Sequence, residues 1–341
     1  MPRKFLAILT MAVSALCAWG GEADSTAKVN YIPQIHGTFR GRFEASTEHG
    51  DYRFQVRNAR LSVGGKIAPI ADYFVQMDFC DRGKIKILDA WARLWATPEI
   101  GFQAGQFRMP FGVDPFMSPH TYIFANRSFI GKQMCNFRAV GAKAVWQPKA
   151  IPFTLEGGAF NPGTISDHTP WHNTLTYAAK ATYSISGLTF ATGFQSVKPG
   201  SVRSNLIDAA LTWKHDRWQV EGEYMHQHYV NDAHRAAHAY NIFANYRMPI
   251  RTPFFNRLSF QGRFDGLTAH SSATVTDDAG HIVTDNPARN RVTIGSTISY
   301  IRSASMYLDL RVNYEKYFYH SGVRPSAEDG DKAVVELVVR F

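Results

Sequence analysis

Arginine is the residue whose placement first suggests a chemistry. Arg40 and Arg42 stand two apart, Arg57 and Arg60 three apart, and Arg93, Arg263 and Arg311 recur in similarly patterned stretches. A guanidinium presents a planar fork of donors that suits carboxylate and phosphate oxygens, so this series is suited to meeting anions in water. Acids are interspersed with it at Glu44, Asp78, Asp89, Glu221, Glu223, Asp265, Asp309, Glu315 and Glu336. Bond-making chemistry is harder to find. The chain has 13 His, but His226 and His228 lie at strand spacing with no Ser in the same pattern, and His168 and His172 sit in a loop-like stretch. A hydrolase needs a nucleophile, a base and an orienting group within reach, and a metal site needs more than two spaced ligands. No enzymatic activity, metal site or cofactor is expected.

Such residues can share a surface only if the elements beneath them are strands, whose successive side chains point to opposite faces. Met306, Leu308, Leu310, Val312 and Tyr314 fall on one face, and Tyr307, Asp309, Arg311, Asn313 and Glu315 on the other. The same alternation, divided by Gly, Pro, Asn and Asp clusters, predicts strands near residues 34–46, 51–65, 71–80, 84–96, 99–107, 137–147, 151–160 and 175–185. It continues over 187–196, 203–214, 217–229, 238–248, 256–266, 289–301, 305–318 and 331–341. That makes about sixteen strands. Alternate connections are short, such as Ser186-Gly187, while others are long, such as 161–174 and 267–288.

The composition is 45% hydrophobic and 19% charged, with a net charge of +9, which excludes disordered, collagenous and disulfide-dense classes. The longest run with no charge and few polar residues, Phe5 to Trp19, is shorter than the roughly 20 residues a spanning helix needs. With Arg3 and Lys4 before it and Ala18-Trp19-Gly20 after it, residues 1–20 are predicted to be a secretory signal peptide, leaving 21–341 as a single domain. Beyond it only Cys80 and Cys135 remain, and sequence leaves open whether they pair.

A soluble β-sandwich would also alternate. Three features favour an all-β, transmembrane, antiparallel up-and-down β-barrel: charges rather than Ser and Thr on the polar face, aromatics such as Trp91, Trp95 and Tyr317 at strand ends, and a terminal Phe341 closing an alternating strand. Phe341 fits the signal read by the barrel assembly machinery. Arg or Lys facing lipid near the midplane would cost roughly 2–4 kcal/mol each, so the polar face is predicted to line the lumen with Arg40, Arg42, Arg57, Arg60, Arg93, Arg263 and Arg311. At sixteen strands the lumen is an aqueous channel. The segment 108–136 carries Pro110, Pro115 and Pro119 and is too apolar for a solvated loop. It is expected to fold inward as a constriction bearing Arg108, Arg127 and Lys132, the alternative being a loop packed over the rim or against a neighbouring subunit.

Particular motifs run through the first half: Arg57-Asn58-Ala59-Arg60-Leu61 to Gly65-Lys66, then Leu88-Asp89-Ala90-Trp91, then Gly105-Gln106-Phe107-Arg108-Met109-Pro110-Phe111-Gly112, then Asn126-Arg127-Ser128. In these the sequence resembles the bacterial porin family that includes the phosphate-selective porins O and P. The resemblance implies a sixteen-stranded barrel of the bacterial outer membrane, usually a homotrimer, with its third loop folded into the lumen. It also implies a lysine cluster on that loop beside an arginine ladder, whereas this loop offers Lys132 with Arg108 and Arg127, and Asn126 replaces an acidic residue. The expected function is passive diffusion of small hydrophilic solutes with a weak preference for anions, phosphate binding being left open. The alternative is a barrel acting as a surface adhesin or receptor through 267–288. Expected partners are small anions, outer-membrane lipid and the assembly machinery; no nucleic acid is expected.

Overall fold

In a computed structural model the alternating segments form sixteen strands in chain order. They are β1 (Gln34–Ser46), β2 (Tyr52–Ala68), β3 (Ala71–Asp81), β4 (Lys84–Trp95), β5 (Ile100–Arg108), β6 (Arg138–Trp146), β7 (Phe153–Phe160) and β8 (Thr176–Ile185). There follow β9 (Leu188–Val197), β10 (Ser204–His215), β11 (Trp218–Tyr229), β12 (Ala237–Pro249), β13 (Arg257–Leu267), β14 (Arg289–Ser303), β15 (Met306–Tyr319) and β16 (Lys332–Arg340). The structure describes residues 29–81, 83–135, 138–162, 165, 170–198, 202–271, 278, 284–320, 322 and 325–341. The expected signal peptide therefore lies outside the described residues, as does His168.

Each strand pairs antiparallel with its chain neighbours, and β1 pairs with β16 from Thr38↔Arg340 to Ser46↔Lys332, so the sheet closes with no free edge. Closure matters because an unpaired backbone group in hydrocarbon costs several kcal/mol. Phe341 extends the seam. Its backbone exchanges hydrogen bonds with Gly37, and its ring occupies the space that a Cβ at Gly37 would need.

Side-chain parity is as the alternation requires. On β15, Asp309, Arg311, Asn313 and Glu315 are buried inside, whereas Leu310, Val312 and Tyr314 are exposed outside. A one-residue slip would put three charges into lipid and fix the wrong register. Short turns gather on one rim. Ser186 and Gly187 both have positive φ, as a two-residue hairpin turn matched to strand twist needs. The long connections gather on the other rim, which in outer-membrane barrels faces outward from the cell.

Two bulges break the parity usefully. Arg40 pairs with Asn58 and Gly41 with Val56, so Arg57 is the extra residue of β2. A bulge sets adjacent residues on the same side, and Arg57, Asn58 and Arg60 all reach the lumen despite their mixed spacing. On β4, Gln76 pairs with Asp89 and Met77 with Ile87, leaving Leu88 as the extra residue and bringing Lys86 onto the lumen side with Asp89. Cys80 lies on β3 and Cys135 at the end of the segment between β5 and β6; no disulfide joins them.

Candidate functional site

The segment between β5 and β6 lies inside the barrel. It contains a short 3-10 turn, Asp114–Phe116, and one π-helical turn, Ile130–Met134. Its apolar residues Phe111, Phe129, Ile130 and Met134 pack with Leu206, Met225, Ala239, Leu267 and Tyr317, which face inward from the far wall. Burial of that face gives the segment a reason to leave solvent, since each large apolar side chain removed from water is worth about 1.5–3 kcal/mol.

Hydrogen bonds then fix where it sits. Glu223 on β11 accepts from the backbone N–H of Val113 at 2.6 Å and of Asp114 at 2.9 Å. Asp265 on β13 accepts from Phe129 N–H at 3.0 Å, and Asn313 on β15 accepts from Ala125 N–H at 2.8 Å. Arg40 donates to the Ala125 carbonyl at 2.6 Å, Arg263 to that of Asn126 at 2.9 Å, and Arg291 to that of Arg127 at 2.6 Å. Asn126 joins opposite charges: its amide N–H donates to Glu315 at 3.0 Å and its Oδ1 accepts from Arg42 at 2.7 Å. An acidic residue there would meet Glu315 as a like charge, so the departure from the family pattern at this position has a local reason. Within the segment, Ser128 donates to Asp114 Oδ2 at 2.8 Å, and Gly131 passes so close that a Cβ would lie 1.9 Å from that oxygen. Burial pushes the Asp114 carboxyl up from its ordinary value, with Arg127 pulling the other way.

Between this inner segment and the wall of β1–β6 lies a cavity of about 600 Å³. Arg40, Arg42, Arg53, Arg57, Arg60, Lys86, Arg108, Arg127, Lys132, Arg138, Arg291 and Lys332 line it, against two carboxylates, Glu44 and Glu328. Other acids stand behind the cations. Arg40 pairs with Glu336 at 2.6 Å, Arg60 with Asp78 at 2.8 Å, Arg138 with Asp89 at 3.1 Å and Arg291 with Asp265 at 2.7 Å. Arg108 and Arg127 differ from these. Both donate to the Met117 carbonyl, at 3.1 and 3.2 Å, and among the described residues neither has a carboxylate within ion-pair distance. Arg127 also stacks on Tyr122 at 4.6 Å.

The residues singled out in the sequence are not all together. Arg40, Arg42, Arg57, Arg60, Arg108, Arg127 and Lys132 share the cavity, Lys132 near its long-loop mouth in an ion pair with Asp329 at 2.7 Å. Arg263 is spent on the inner segment, 4.6 Å from the Phe124 ring. Arg311 faces the lumen below it, paired with Asp309 and Glu336. Arg93 stands apart, paired with Asp72 at 3.0 Å and stacked on Trp91 and Trp95. Alternation did not single out Lys86, Arg138, Arg291 or Lys332, although Arg291 and Lys332 have the inward parity of their strands. His226 and His238 meet across β11 and β12, and the Tyr224 hydroxyl lies 2.6 Å from His238 Nδ1. Of the 267–288 connection, residues 272–277 and 279–283 lie outside the described residues.

A closed sixteen-stranded barrel with an apolar exterior, a charged interior and one inner loop is the architecture of an outer-membrane porin. Residues 29–198 match the family described as phosphate-selective porin O and P, and the chain belongs to that family, in the bacterial outer membrane. Similar solved structures include the anion-selective porin from Comamonas acidovorans, with a TM-score of 0.62 at 11% identity over 92% of this chain and 99% of that one. Another is the outer membrane channel DcaP of Acinetobacter baumannii, with a TM-score of 0.61 at 11% identity over 94% and 100%. A third is the trimer form of OmpT from Vibrio cholerae, with a TM-score of 0.56 at 10% identity over 91% and 98%. At these identities the likeness is one of fold. No curated protein sequence matches the chain.

Proposed function

We propose that the barrel lets small hydrophilic solutes diffuse across the outer membrane with a preference for anions, and that the constriction lies where Arg108 and Arg127 face Arg40, Arg42 and Arg60. One observation carries this reading: the cavity beside the inner segment is lined by twelve cationic side chains and two carboxylates. Fixed positive charge in a narrow passage offsets part of the hydration an anion gives up, and it raises the local anion concentration. Arg108 and Arg127 contribute most, because a guanidinium backed by a carboxylate presents little net charge to a passing ion. Lys132, paired with Asp329, acts as a mouth residue. Phosphate is the anion to try first, given the family and a lining rich in arginine forks.

The trimeric form of OmpT supports a homotrimer as the working assembly. The seam formed by Phe341 and Gly37 is consistent with Phe341 serving as the assembly signal. Reversal potentials of single channels in a potassium chloride gradient test the proposal. An anion-favouring potential is expected; a cation-favouring one, or absence of conduction, would refute it. Reduction of the chloride current by added phosphate would extend the reading to that anion.

A further inference from the structure

Beneath the inner segment, on the short-turn side and against the opposite wall, lies a second cavity of about 230 Å³. His120 to Ile123 roof it, and Ser303 and Ala304 of the β14–β15 turn mark its outlet. Arg247, Arg257 and Arg311 face it from three strands, with Asp309 as the one carboxylate in the lining. Asp309 is shared: Arg311 donates to its Oδ2 at 3.2 Å, while its Oδ1, buried with no hydrogen-bond partner, forms a long ion pair with Arg257 at 3.8 Å. Arg247 donates to Gln219 and, among the described residues, has no carboxylate within ion-pair distance.

The register explains why, among the described residues, two arginines meet here with no carboxylate hydrogen-bonded to either. Arg247 pairs with Ser259 and Pro249 with Arg257, so the two arginines sit on adjacent strands two positions apart, facing the same way. Like charges so placed repel unless an anion lies between them. Arg257 donates one Nη to Ser299 at 3.2 Å, but its Nε is buried with no partner. A buried donor left unsatisfied costs about 1–3 kcal/mol, and an Nε–Nη fork donates to two oxygens of one anion side by side.

We propose that this cavity is a second anion station, distinct from the cationic passage, which takes a small oxyanion in bidentate contact with Arg257 and with its second charge compensated by Arg247. Tyr122 borders both cavities, so the station lies next to the passage, on the periplasmic side of the inner segment. The proposal rests on the anion-channel reading and adds a sidedness to it. An oxyanion arriving from the short-turn side meets the station before the arginines of β1 and β2.

The test is block of chloride current by inorganic phosphate in planar bilayers with protein inserted from one chamber, phosphate being added to either side in turn. Wild type is expected to show block from the short-turn side. In R247Q/R257Q that block should need at least about tenfold more phosphate, with block from the long-loop side unchanged. R257K keeps the charge and loses the fork, and it should fall between the two. Heat-dependent gel migration identifies the folded variants. An unchanged half-blocking concentration in both R257K and the double variant overturns the station. So does an equal change from the two sides. A cation-favouring reversal potential in wild type would refute the channel reading instead, which keeps the two failures apart.

Discussion

The wall of β1–β6 and the wall of β9–β16 both carry arginines and carboxylates, yet they meet the lumen in opposite ways. On the first wall guanidinium groups face open space and acids such as Asp78 and Asp89 stand behind them. On the second wall Glu223, Asp265 and Glu315 are covered by the inner segment, whose backbone N–H groups and Asn126 amide satisfy them. The difference teaches that the positive character of the passage depends less on an excess of cations than on what covers the anions. The inner segment narrows the lumen and also screens one wall of it.

Removing a covered acid should break this arrangement most severely. D265A deletes the acceptor of Phe129 N–H and the partner of Arg291 and Arg263, both buried. Stranding a buried charge costs about 3–5 kcal/mol. The midpoint of heat-dependent gel migration should therefore drop, and single-channel conductance should rise as the segment comes away from its wall. Next is G131A, whose new Cβ would collide with Asp114 Oδ2. Overpacking of this kind costs about 1–3 kcal/mol, and a variant that retained wild-type conductance and melting would mean that the Asp114–Ser128 knot does not set the path of the segment.

Smaller effects sharpen the comparison. R127E reverses a passage-side charge that has no carboxylate within ion-pair distance among the described residues, while R311E acts on the other wall, where two carboxylates are already engaged. The anion-to-cation permeability ratio should fall several-fold more in R127E, a difference on the order of 1 kcal/mol; equal ratios would place the constriction elsewhere. The smallest effect is a pH dependence. Burial, aided by Arg340 and Arg60, lowers the His120 imidazole from its ordinary 6.5 to about 4. Between those values the unfolded chain binds more protons at this site than the native one does, so stability rises with pH across the window and is level above it. His120 is partly solvated, so the change should amount to less than about 1 kcal/mol. H120N should flatten the slope of the gel-migration midpoint between pH 4 and 6.5.

Strand positions were legible because lipid outside and water inside impose a strict two-residue period. Glu315, for example, can face only one way, and the predicted and observed strands agree to within about three residues at their ends. The inward path of 108–136 was legible from its prolines and aromatics, which suit neither a strand nor a solvated loop. What alternation could not give was the membership of the cavity. Counting by twos from Asp89 places Lys86 on the lipid face, and only the bulge at Leu88 turns it inward. Likewise Arg263 and Arg311 have the right parity, but whether they meet solute or hold the inner segment depends on contacts between residues far apart in the chain, such as Arg263 with the Asn126 carbonyl.

The seating of the inner segment has a mechanical consequence. It is held at Val113, Asp114, Ala125, Asn126, Arg127 and Phe129 to strands from β1 to β15, which ties both of its halves to the wall. A segment braced at these points should resist displacement by voltage. Current through the open channel should be steady, and the net flux of each ion should follow its electrochemical gradient.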